Sequence, residues 1–144
     1  MTLIVDDAAL LAVLAEAAPE DIAEAVGRGE VFTTGCWYWR LSRALGERNA
    51  RGSLSRLIGA LNPQQRESVV ASVDRLPPQI GLLSLRDLVP VMTALANGAQ
   101  LNLLTAEAVA AAVTVGATIH VTTDSALLNQ TCARVGVEVR RLPR

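Results

Sequence analysis

Five short apolar segments, interleaved with helical patterns, constrain what this chain can fold into more than any other feature. They are 2–6 (TLIVD), 30–34 (EVFTT), 80–85 (IGLLSL), 118–123 (TIHVTT) and 137–142 (VEVRRL). Short runs dominated by apolar residues suit strands covered on both faces. Between them the spacing predicts helices. In 7–17 (DAALLAVLAEA), Leu10, Leu11 and Leu14 fall at helical intervals. Pro19 opens PEDIAEAVGRG, whose acids suit a helix N-terminus and whose glycines end it. Further helices are expected over 36–47, 53–60, 63–74, about 86–97, about 104–115 and 125–136, separated by Gly, Asn and Pro signals. This alternation implies an α/β fold: a parallel sheet of about five short strands with helices on both faces. At 144 residues it fits a single domain, 1–144.

An apolar fraction of 51% is ample for one buried core. No run approaches the roughly 18 apolar residues of a membrane helix, and the N-terminus lacks the basic region of a secretory signal. The expectation is a cytoplasmic protein with no membrane partner. Cys36 and Cys132 lack the paired spacing of zinc or redox motifs and read as free thiols. All thirteen basic residues are arginine. Net charge is −1, but unevenly spread: seven acids stand against Arg28 alone through residue 31, and twelve arginines against seven acids thereafter. Helices as uniformly apolar as AEAVAAAVTV leave more hydrophobic surface than one small core hides, so a homo-oligomer is expected.

In a parallel α/β sheet, functional groups gather at the carboxyl ends of strands, where loops converge. Asp6 and Asp7 end the first segment, and Asp124 ends the fourth within VTTDSALL. Carboxylates meeting at one sheet edge can hold Mg²⁺ or Mn²⁺, which activates water and stabilises a phosphoryl transition state. The plainer reading comes first: Asp before a helix is a common N-cap, at about 1 kcal/mol.

LIVDDAALLAVL resembles the opening of PIN domains, in which a strand ends in an Asp followed by a leucine-rich helix. LTAEAVAAAVTVGATIHVTTDSALL resembles their later pattern: an acid beginning an alanine-rich helix, a Gly-bounded strand, then Thr-x-Asp. The resemblance spans most of the chain, specific at both ends and vague in the middle. It implies kinship with the small toxin ribonucleases of bacterial toxin–antitoxin pairs, with RNA as substrate, Mg²⁺ or Mn²⁺ as cofactor and an antitoxin or other protein as partner. On this pattern Asp6 and Asp124 match the first and last family carboxylates, with Thr122 as the hydroxyl two positions earlier.

Other positions depart from the pattern. Ala8 stands where the family has Ser or Asn. Aromatic residues around Trp37 to Trp39 stand where a Glu is expected. Counting back from Gly116 puts Thr105 at the third acid, with Glu107 two residues on. Asp7 and Glu107 could complete a metal set of Asp6, Asp7, Glu107 and Asp124. Glu107 reads first, however, as a first-turn acid favouring the dipole of its own helix. The implied activity is a weak metal-dependent endoribonuclease with Asp6 and Asp124 as its catalytic carboxylates; the alternative is a non-catalytic interaction or oligomerisation module of the same fold.

All four aromatics, Phe32, Trp37, Tyr38 and Trp39, lie within eight residues. Consecutive helix positions point about 100° apart, so the last three cannot form one base-stacking face; core packing with an oligomer contact is the reading. Arg40, Arg43, Arg48, Arg51 and Arg56 could steer RNA, and equally could form a solvated face or meet an acidic partner. His120 has no second His or Cys nearby and reads as structural. The sequence holds no Gly-rich phosphate loop and no credible nucleophile triad.

Overall fold

The computed structural model describes residues 1–47 and 52–143. Strands β1 (Leu3–Val5), β2 (Val31–Thr33), β3 (Ile80–Leu82), β4 (Thr118–Val121) and β5 (Val139–Arg141) form one sheet in the order β3-β2-β1-β4-β5. Every neighbouring pair is parallel. Among the described residues there are eight helices: α1 (Asp7–Leu14), α2 (Glu20–Gly27), α3 (Gly35–Gly46), α4 (Ser53–Gly59), α5 (Pro63–Asp74), α6 (Leu85–Ala96), α7 (Leu103–Val115) and α8 (Ala126–Val135). The fold is the expected α/β architecture.

The strands are shorter than their apolar segments because polar residues at the ends leave the ladder to start helices. Asp6, Thr34 and Ser84 are the N-caps of α1, α3 and α6, each accepting a bond from a backbone N–H in the first turn. Helix N-termini carry unpaired donors, so a strand that runs straight into a helix gains by surrendering its last polar side chain.

Side-chain alternation divides the core into two layers. Leu3 and Val5 face α1 to α5, packing with Leu10, Ile22, Leu41 and Val69. Ile4 faces the other way, toward α6 to α8, with Ile119, Leu88, Val109 and Leu128. Each fully buried Leu or Ile contributes roughly 1.5–3 kcal/mol relative to exposure. The alanine-rich α7 is enclosed by its own chain: Thr105 through Ala112 are all buried. Most of the apolar stretch AEAVAAAVTV is therefore core, with Val113 left 43% exposed near its end.

Gly81 of β3 pairs with Phe32 of β2. A Cβ at Gly81 would lie 2.3 Å from the Phe32 ring, so the ring crosses the strand where only glycine fits.

Helices α1 to α5 carry the chain from β1 through β2 to β3 along one face, and α6 and α7 return it across the opposite face to β4. The strand order therefore reverses between β1 and β4. At such a switch point the loops leaving neighbouring strands diverge and open a crevice.

Candidate functional site

That crevice is an open cavity of about 330 Å³ at the carboxyl ends of β1 and β4. Asp6, Asp7 and Asp124 all line it, together with Arg40, Ser53, Asn102, Thr105 and Ser125. Its apolar wall includes Trp37, Leu104 and Leu128.

Asp6 is buried and its carboxylate is heavily engaged. Oδ1 accepts from the Ala9 N–H at 2.8 Å, as the cap of α1. Oδ2 accepts from both the backbone N–H and the hydroxyl of Thr122, at 2.7 and 2.8 Å. The capping reading thus holds for Asp6, and the hydroxyl singled out two residues before Asp124 is its partner. Asp124 is exposed and accepts from the Asn129 amide at 2.8 Å. It is not a cap: Ser125 caps α8, so the N-cap reading fails at this position by one residue.

Asp7 is buried, with the Arg40 guanidinium 3.4 Å from its carboxylate. Burial pushes its carboxyl above the usual aspartate value; Arg40 pulls it back and the neighbouring Asp6 charge adds to the rise. Arg40, absent from the carboxylate set, is the counter-charge that burial of Asp7 demands. The signal lay in the sequence only as one arginine in a basic stretch.

Glu107 corrects an expectation. It is not a first-turn acid of α7, whose cap is Asn102, but its fifth residue, with a relative exposure of 1%. Its Oε1 accepts the Cys36 N–H at 2.7 Å, so it serves the N-terminus of α3. The charge–dipole principle is right and the helix is wrong. A Cβ at Gly35 would come within 3.2 Å of Oε2, so glycine there makes room for the carboxylate. Glu107 does not line the cavity, whereas Thr105, two residues before it, does. Trp37, in the segment where the family pattern has a Glu, also lines it and is 3% exposed.

Among the described residues, no three His, Cys, Asp or Glu side chains are grouped to hold a metal ion. The cavity keeps three carboxylates in its wall, two of them tied to protein donors and one to Arg40. It also collects helix starts: Asp6, Asn102 and Ser125 are the N-caps of α1, α7 and α8, and Ser53 is the first residue of α4. The positive ends of these helices temper the carboxylate charge and suit an anion at the mouth.

The aromatic cluster divides as the 100° rule requires. Trp37 is core; the Tyr38 hydroxyl donates to the Val73 carbonyl; Trp39 is 61% exposed, with the Arg43 guanidinium 5.5 Å from its ring centre. Arg43 also donates to Glu47 at 2.6 Å. Arg48 and Arg51 lie outside the described residues. His120 is 2% exposed in β4, and neither ring nitrogen has a hydrogen-bond partner among the described residues. Burial pushes the Cys36 and Cys132 thiols up to about 11, so neither is a ready thiolate nucleophile.

In comparisons with known proteins, no family model and no curated protein matches the chain. No helix among the described residues is long and apolar enough to cross a membrane.

Proposed function

We propose that the chain is a PIN-like domain related to the toxin ribonucleases of bacterial toxin–antitoxin pairs, acting in the cytoplasm as a weak metal-dependent endoribonuclease on single-stranded RNA. The observation that carries this reading is the shared cavity: Asp6 and Asp7 from the end of the first strand and Asp124 from far along the chain line one crevice at the switch point of a parallel sheet.

The donor set fits a loosely held, largely hydrated cation. Asp124 is exposed, and Asp6 has one oxygen with a single donor on it; Asp7 becomes a ligand only when Arg40 moves aside. Mg²⁺ is commonly bound through one or two carboxylates and keeps several waters. When bound, Mg²⁺ or Mn²⁺ supplies Lewis-acid polarisation and an activated water. The chain's own groups do the rest. The starts of α1, α7 and α8 attract phosphate, Arg40 offers a guanidinium to a phosphate oxygen, and Asp6 with Thr122 keeps the ends of β1 and β4 in register.

A second reading rests on a different observation. Asp6 and Glu107 are occupied with structural bonds and Trp37 fills the wall, which suits a non-catalytic module whose partner is an antitoxin, another protein or a second copy.

The experiment is metal titration followed by cleavage of a mixed single-stranded RNA by wild type and by Asp124→Asn, an exposed change that spares the fold. Slow cleavage, faster with Mn²⁺ than Mg²⁺ and lost in Asp124→Asn at unchanged melting temperature, is the expected result. Absence of both metal binding and cleavage would leave the interaction module as the account. Brisk cleavage insensitive to Asp124→Asn would place catalysis elsewhere.

A further inference from the structure

We infer that Trp39 is a base-stacking platform on the surface of α3, one residue from the cavity-lining Arg40, seating one base of a single-stranded RNA while Arg43 and Arg40 meet its flanking phosphates. The choice of RNA rests on the function proposed above; the platform itself rests on α3. An indole 61% exposed contributes little to the core, since Trp37 and Leu41 are the buried residues of α3 and Tyr38 makes the bond to Val73.

Arg43 follows Trp39 by four residues, so both lie on one helical face, and its guanidinium sits over the ring at 5.5 Å. Arg40, the next residue along, turns about 100° from Trp39 and lines the cavity with Asp6 and Asp124. One helical turn thus links an exposed aromatic to the carboxylates through a cation. Arg56, exposed on the neighbouring α4, extends the positive surface; the helix starts at Ser53 in the cavity wall. Two acids oppose this charge. Asp7 pairs with Arg40, and Glu47 holds Arg43 at 2.6 Å. The Arg43–Glu47 pair is exposed on both sides and weak enough for a phosphate to displace the carboxylate, whereas Arg40 keeps its pairing to the buried Asp7 and meets a phosphate with the remaining donors of its half-exposed guanidinium. Aromatic stacking combined with arginine charge is how single strands are held without sequence preference, and a duplex offers no unstacked base to such a surface.

The test is tryptophan fluorescence with a single-stranded RNA of roughly 10 nucleotides, within the site sizes such surfaces cover. It is run in EDTA so that binding is read without cleavage. Binding should quench the solvent-exposed emission, and the same sequence as a duplex should quench less. Trp39→Ala should weaken binding about 5- to 150-fold, the equivalent of about 1–3 kcal/mol for one stacked base. Trp39→Phe should retain most of the affinity, and Glu47→Gln should tighten binding by releasing Arg43. Arg43→Gln should lower the slope of log affinity against log salt by about 0.7, one phosphate contact on a single strand.

Equal affinity for wild type and Trp39→Ala, or no binding by wild type, overturns the platform. So does a blue shift of the exposed emission on raising protein concentration without RNA, which assigns Trp39 to contact with a second copy. Binding in EDTA without cleavage in any metal leaves the platform standing and removes the nuclease. Cleavage with unchanged KM in Trp39→Ala does the reverse.

Discussion

The Asp6 carboxylate receives two donors from Thr122, the backbone N–H at 2.7 Å and the hydroxyl at 2.8 Å, and so ties the end of β1 to the end of β4. The same carboxylate caps α1 through Ala9. Asp6→Ala removes a cap worth about 1 kcal/mol and two further bonds worth about 0.5–1.5 kcal/mol each, so roughly 3 kcal/mol of stability should be lost. Asp124→Ala removes one exposed bond and should cost less than about 0.5 kcal/mol. Urea unfolding of the two variants makes the comparison; equal losses would show that the bonds of Asp6 are not the anchor described.

Asp7 should give the fold a pH dependence of its own. Its carboxyl is raised in the folded chain, chiefly by burial, so the folded state holds this proton at pH values where the unfolded chain has released it. Stability falls as pH rises from the ordinary value of 3.8 through the raised one. Asp7→Asn should therefore be more stable than wild type at pH 7, with the difference closing as pH drops below about 4. A difference that grows toward acid would show that the Arg40 pair outweighs burial.

His120 should act in the opposite direction. Burial foremost, and then the Arg140 charge on the neighbouring strand, lower its pKa, while Asp21 and Glu138 act the other way. The folded chain keeps the ring neutral while the unfolded chain takes up a proton below about 6.5, so stability is lost as pH falls from 6.5 toward the lowered value. With both ring nitrogens unpaired among the described residues, His120→Leu should be neutral or stabilising at pH 7 and should flatten the profile below 6.5. Melting temperatures of the two proteins between about pH 5 and 8 give the answer.

Glu107→Ala should cost about 2–3 kcal/mol, since it leaves the half-buried Cys36 N–H without its acceptor and opens a cavity beside Gly35. Glu107→Gln keeps an acceptor and loses only the charge, so about 1 kcal/mol is expected. Hydrogen exchange at the Cys36 amide should quicken in the alanine variant and much less in the glutamine one. Equal exchange in all three would show that the amide is protected without Glu107.

The architecture was legible because its signals are local. Apolar runs with polar ends at Asp6, Thr34 and Ser84 mark both where strands stop and where helices start, and Gly116 ends α7 in a left-handed conformation as the sequence pattern anticipates. The convergence of Asp6 and Asp124 on one cavity was legible too, because both follow strands of a parallel sheet. What escaped were pairings across long separations. Nothing near Glu107 announces that its partner is an amide at the start of α3, and nothing near Arg40 announces Asp7. Composition also misled: the apolar length of α7 reads as surplus surface until the sheet, α6 and α8 close around it. Trp37 and Trp39 are alike in sequence and opposite in burial, a difference set by helix rotation against a core whose position the local pattern does not give.

The tie between Asp6 and Thr122 spans 116 positions, and that between Glu107 and Cys36 spans 71. At the roughly 5–20 residues per second of chain synthesis, β1 and its capping carboxylate emerge about 6–23 s before β4 exists to receive them. Through that interval β2 can flank β1 on one side only, and the side facing the cleft stays an open edge. Contacts of such separation form slowly, since the intervening loop must close before they repay its lost entropy. The earliest strand thus waits through most of synthesis for its second neighbour, and the crevice marks a seam that closes only once β4 arrives.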